Sequence, residues 1–142
     1  MKKNIVISLI AIICCVAASY AQNDSTYTAE MLEGKDWFLL MPTEYPFKRT
    51  PQGIRYEATT QISFIYDGTK RMEASVPYYL STTPDKTFNP SKTGKSTSGK
   101  YIIIKYPDGV LCTEILKLTG TELIILNHRN KWQVKFSTTK PQ

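Results

Sequence analysis

Residues 101–136 read YIIIKYPDGVLCTEILKLTGTELIILNHRNKWQVKF. Four short runs rich in Ile, Leu, Val and aromatic residues are separated by Pro-Asp-Gly, Thr-Gly and Asn-His-Arg-Asn. Runs of this length between turn formers predict an antiparallel meander. A three-residue Pro107-Asp108-Gly109 loop sets Tyr106 against Val110. A Leu118-Thr119-Gly120 loop sets Ile115 against Leu123. A four-residue Asn127–Asn130 loop sets Ile125 against Trp132 and Leu123 against Val134. Cross-strand partners share a face. The core face then carries Tyr101, Ile103, Leu111, Ile115, Leu123, Ile125, Trp132, Val134 and Phe136. The opposite face carries Ile102, Ile104, Cys112, Leu116, Ile124 and Leu126, an apolar patch that calls for cover. The short segment around Met31 and Leu32, a second copy or another envelope protein are the covers the sequence suggests. A slip of one residue exchanges the two faces.

Upstream, Ile54 to Leu80 reads as one long hairpin. Tyr56, Ala58, Ile62 and Phe64 alternate with polar residues, as do Met72, Ala74, Val76, Tyr78 and Leu80. A three-residue Tyr66-Asp67-Gly68 loop reconciles the two alternations. It makes Ile62 the partner of Met72 and Ala58 the partner of Val76 on the core face. Trp37 to Met41 forms the first strand. An N-terminal helical turn over residues 29–32 precedes it, and Gly34 ends that turn. Strands are expected near 35–41, 54–65, 69–80, 100–106, 110–117, 121–126 and 131–137, with an eighth between Tyr45 and Lys48.

The chain opens with Lys2 and Lys3, an apolar run from Ile5 to Ala18, and the small-x-small triplet Ser19-Tyr20-Ala21. This pattern predicts a cleaved secretory signal peptide over residues 1–21. Ile12-Ile13 lacks the small residue expected ahead of a lipidated Cys14. The expected location is therefore periplasmic or extracellular, with the membrane met only through the leader. Residues 22–142 then form a single domain. Lys+Arg number 18 against Asp+Glu 12; without Lys2 and Lys3, sixteen against twelve leave a formal +4. That mild excess is no signature of nucleic-acid binding. Cys112 alone remains after the leader, so no internal disulfide is expected.

Residues 81–99, STTPDKTFNPSKTGKSTSG, carry three lysines, one acid and a single large apolar residue, Phe88. Low order and early cleavage at the lysines are expected there. The GKST within it lacks the glycine that a phosphate-binding loop needs five positions earlier, where Asn89 stands. His128 is the only histidine and reads as a turn residue. The acids are scattered, and no serine sits in a nucleophile turn. The residues therefore point to no enzyme, no metal site and no cofactor.

Leu32-Glu33-Gly34-Lys35-Asp36-Trp37 leads from a helical turn into the first strand, and a meander ends in a Trp-containing strand. In this the chain resembles the short bacterial lipocalin-like domains of the calycin type. The spacing Gly34-x-x-Trp37 is one residue longer than the Gly-x-Trp of that group. The resemblance implies an all-β, antiparallel up-and-down meander closing into a barrel of about eight strands around a small cavity. The function expected is binding of a small, partly hydrophobic ligand. Tyr56, Ile62, Phe64, Tyr78, Tyr101 and Trp132 are the expected lining. The alternative is a cell-envelope interaction module, or homo-oligomer, that uses the outer face of the 101–126 meander or the 81–99 loop.

Overall fold

Gly68 adopts φ 61°, a left-handed conformation that glycine takes without steric cost. It opens a two-residue Gly68-Thr69 turn between β4 (Thr60–Asp67) and β5 (Lys70–Ser81), so Asp67 pairs with Lys70. Two-residue turns with positive φ match the right-handed twist of the strands they join. That fit displaces the expected three-residue loop and changes the parity of the ladder. Ile62 lies opposite Ser75, Phe64 opposite Glu73 and Ile65 opposite Met72. The expected Ile62–Met72 pair is thus corrected, and β4 turns its other face inward.

The computed structural model describes residues 25–41 and 50–142. The leader expected over 1–21 and the strand expected between Tyr45 and Lys48 lie outside the described residues. The elements run β1 (Tyr27–Thr28), α1 (Ala29–Leu32), β2 (Asp36–Leu39), β3 (Gln52–Tyr56), β4 and β5. They continue with a 3-10 turn (Pro90–Lys92), β6 (Ser98–Gly99), β7 (Tyr101–Tyr106), β8 (Gly109–Leu118), β9 (Glu122–Asn127) and β10 (Gln133–Ser137). Eight antiparallel strands close into a barrel in the order β10-β2-β3-β4-β5-β7-β8-β9. The fold is the expected all-β meander. The ring is uneven, since β4 and β5 share eight paired positions whereas β10 and β2 share Phe136–Leu39 and Ser137–Phe38. The Leu40 N–H donates to the Lys135 carbonyl at 2.9 Å and extends that seam by one bond.

The expected strand 54–65 is two strands. Glu57-Ala58-Thr59 turns between β3 and β4, closed by the Glu57 N–H to the Thr60 carbonyl at 2.9 Å. The turn contains neither Gly nor Pro, so its sequence carries no punctuation. Ala58 is exposed there, and Gln61 rather than Ala58 faces Val76.

In the meander, Tyr106 pairs with Gly109, leaving a two-residue Pro107-Asp108 turn. That one-residue difference reverses β7. Ile102 and Ile104 point into the barrel core, and Tyr101 and Ile103 point out. Strands β8 to β10 keep their expected faces with shifted partners, Ile125–Val134 and Leu123–Phe136. A bulge at Leu116 lets both Ile115 and Leu118 face inward.

One barrel end is sealed. Leu32 of α1 is wholly buried, and the Trp37 indole N–H donates to its carbonyl at 2.9 Å. Trp37, Tyr56, Tyr78, Leu80 and Ile102 fill the space beside it. The helical turn therefore plugs the interior and does not cover the outer apolar face, where Leu116 stays 37 % exposed. The 81–99 loop lies against the outside of β5. Phe88 packs on Tyr79 with ring centroids 5.1 Å apart. The Tyr79 hydroxyl, the Thr83 hydroxyl and the Lys92 ammonium all donate to Asp85, at 2.9, 2.6 and 3.1 Å. Where low order was expected, one acid collects three donors from across the loop.

Candidate functional site

Barrel parity assembles an apolar chamber at the end opposite the plug. Phe136 of β10 faces Leu39 of β2, Ile54 of β3 faces Ser63 of β4, and Ser63 faces Ala74 of β5. Ile65 faces Met72 one step nearer the rim. With Val134 and Gln52 these residues line a cavity of about 530 Å³. Ile65 and Met72 are 39 % and 44 % exposed, although both point inward, so the chamber is open to solvent on their side.

The wall is aliphatic and aromatic, with Ser63 and Gln52 as neutral polar groups. Glu73 borders the chamber from the outer face, where Arg71 Nε donates to its carboxylate at 2.6 Å. Gly53 holds the wall tight. A Cβ there would meet the Trp37 carbonyl oxygen at 2.0 Å and the Phe64 ring at 2.9 Å. Phe64 and Phe38 stack edge-to-face outside it at 5.4 Å, and the Arg71 guanidinium lies 4.0 Å over the Phe64 ring. The same guanidinium binds both oxygens of Asp36, at 2.6 and 3.1 Å. Those bonds hold the Asp36 carboxyl below its ordinary range against the opposing effect of burial.

Below the chamber the barrel is filled. The Tyr56 and Tyr78 rings meet edge-to-face at 5.0 Å. The Tyr78 hydroxyl donates to the Glu57 carbonyl at 2.8 Å. The Tyr56 hydroxyl and the Thr113 hydroxyl are buried with no hydrogen-bond partner among the described residues. Burial pushes the Tyr56 phenol well above its ordinary pKa, with Tyr78 and Tyr106 adding to the shift. Gln61 Nε2 donates to the Tyr106 hydroxyl at 3.4 Å.

Of the six expected lining residues, Phe64 borders the cavity, and it does so from the outer side of the wall across Gly53. Tyr56 and Tyr78 point inward but belong to the packed floor. Ile62 lies half-buried on the outer face, and Tyr101 stacks against His128 outside the barrel at 5.7 Å. Trp132 stands before β10 and is 71 % exposed. The residues that form the chamber were legible on β5 and β10, where Met72, Ala74, Val134 and Phe136 keep the expected parity. Ser63 and Ile65 were missed because the β4 register was misread.

A second depression of about 400 Å³ lies outside β8, between Pro84, Lys86, Cys112, His128, Arg129 and Lys131. Burial pushes the Cys112 thiol up to about 11, so the thiolate is scarce at neutral pH. His128 Nε2 lies 2.9 Å from Glu114, which stays ionised below its ordinary range because His128 and Lys100 outweigh the cost of burial. No group of three or more His, Cys, Asp or Glu that could hold a metal ion occurs among the described residues. Compared with protein-family models, with curated proteins and with solved structures, the chain matches none of them.

Proposed function

We propose that this chain is an exported binding module whose open barrel end takes a small, partly hydrophobic molecule. One observation carries the reading: a cavity of about 530 Å³ walled by Leu39, Ile54, Ile65, Met72, Val134 and Phe136. Small-molecule sites typically fall within roughly 300–1,000 Å³ and combine apolar walls with a few polar groups. Ser63 and Gln52 supply such groups. Export rests on the leader pattern of residues 1–21.

The experiment is native mass spectrometry of the protein purified from its own host, paired with titration of a fluorescent apolar probe. Wild type is expected to retain a small molecule or to take up the probe saturably. Ala74→Trp, which places an indole inside the chamber, is expected to abolish both. A bare polypeptide mass together with no saturable uptake by wild type sinks the reading.

A further inference from the structure

The chamber's rim carries a second feature that a ligand cavity does not require. Leu40 is 47 % and Trp132 71 % exposed, and together with Met41 they line a depression of about 700 Å³ beside the seam of β2 and β10. That depression shares Leu39 and Val134 with the chamber, so the two run into one another. Ile65 and Met72 continue the apolar rim on the far side. Large side chains this exposed, gathered at one end of a small domain, mark a contact surface.

Charge selects the partner. Lys70, Lys105, Arg129 and Lys131 are exposed in the turns and strand ends at this end of the barrel, and Lys135 is exposed midway along β10. None of the five has a carboxylate partner among the described residues. Asp67 and Asp108 are the exposed acids in the same turns. Lys135, in the depression itself, and Lys131, beside Trp132, have no acid in that lining to offset them. A projecting indole, aliphatic neighbours and flanking cations together suit the headgroup boundary of an anionic bilayer. The indole and aliphatics bury in the interface, and the cations meet lipid phosphates. No helix among the described residues is long and apolar enough to cross a bilayer.

We propose that the open end of the barrel docks on the surface of an anionic lipid bilayer, with Trp132 and Leu40 inserted at the headgroup level and Lys131 and Lys135 on phosphates. This stands on the rim and does not require that the chamber hold a ligand. Docked so, the chamber mouth faces the lipid.

The test is co-sedimentation of the full-length mature protein with vesicles, together with tryptophan emission. Trp37 is wholly buried and bonded to Leu32, so a change in emission reports Trp132. Vesicles of phosphatidylglycerol and phosphatidylcholine are expected to pellet the protein and shift its emission to the blue. Pure phosphatidylcholine vesicles are expected to do neither at moderate salt. The exposed double variant Lys131→Glu/Lys135→Glu should weaken pelleting by about tenfold or more. Trp132→Ser should weaken it as well, while both variants keep the wild-type melting temperature. Ala74→Trp fills the chamber and leaves the rim intact, so it should pellet like wild type even where probe uptake is lost. Three results overturn the proposal. The first is no pelleting with anionic vesicles. The second is pelleting that neither variant weakens. The third is concentration-dependent self-association that Trp132→Ser abolishes, which would assign the patch to a second copy.

Discussion

Two tyrosines on the strands that flank β4 show how much a single oxygen's surroundings decide. Tyr56 and Tyr78 are both buried in the barrel floor and pack on each other. The Tyr78 hydroxyl donates to the Glu57 carbonyl, whereas the Tyr56 hydroxyl has no partner among the described residues. A buried, unsatisfied polar group carries its desolvation cost uncompensated. Tyr56→Phe is therefore expected to leave stability within about 0.5 kcal/mol of wild type or to raise it, while Tyr78→Phe costs about 1 kcal/mol. Urea denaturation midpoints of the two variants check this, and equal losses would show that Tyr56 is bonded after all. Gly53 is decided by the same kind of close contact. Its missing Cβ leaves room for the Trp37 carbonyl and the Phe64 ring. Gly53→Ala forces the β2–β3 backbones apart and should cost about 1–3 kcal/mol, read as a lower midpoint with an unchanged slope.

At the scale of the element, the Gly68-Thr69 turn sets what the β4–β5 hairpin buries. It places Phe64 on the outside of the barrel at 3 % exposure, roofed by Arg71, and Met72 on the inside at 44 % exposure. Burial and barrel face are thus uncoupled here, because the chamber is open and the outer aromatics are covered. Phe64→Ala is expected to cost about 3–5 kcal/mol, and Met72→Ser much less, although Met72 is the inward residue. Thermal melts of both variants test the ordering, and a larger loss for Met72→Ser would invert the assigned faces. The 81–99 loop supplies a second element-scale prediction. Asp85 collects donors from Tyr79, Thr83 and Lys92. Asp85→Asn weakens all three charge-assisted bonds, so trypsin should cut at Lys86 and Lys92 several times faster than in wild type. Equal cleavage rates would mean that other contacts hold the loop.

Across the whole molecule, ion pairs on the outer face join strands that are distant in sequence. Asp36 on β2 binds Arg71 on β5, and Arg55 on β3 lies 3.5 Å from it. The Arg71 bonds lower the Asp36 pKa beneath its ordinary 3.8. A carboxyl whose folded pKa is depressed contributes stability that is complete above its unfolded value and is lost as pH falls through the folded one. Glu114 is depressed beneath 4.5 in the same sense. The melting temperature should therefore be level near neutral pH and fall as the pH drops through about 4.5 and below. Asp36→Asn should lower it at pH 7 and flatten the acid slope. A variant with the full wild-type slope would remove Asp36 from the account.

The class of the fold and much of its order can be read from the residues alone. Short apolar runs between turn formers admit few structures other than an antiparallel meander. The helical turn before Trp37 was likewise legible from Gly34 and the apolar spacing. Inward parity on β5 and β10 could be read because apolar and polar residues alternate there without interruption. Tertiary structure alone decided the rest, for one physical reason. A strand's two faces differ by a single residue of register; on β7 both faces are rich in apolar residues, and on β4 the more apolar face is the one that turns outward. Ile62 and Phe64 look as fit for the core as Gln61 and Ser63 look unfit. Yet the Gly68 turn sends the first pair outward, where Phe38, Gly53 and Arg71 receive Phe64. Ile102 and Ile103 are equally buried, one by the barrel interior and the other on its outer face. Only the closed ring, and the loop folded against its outside, tells those two environments apart.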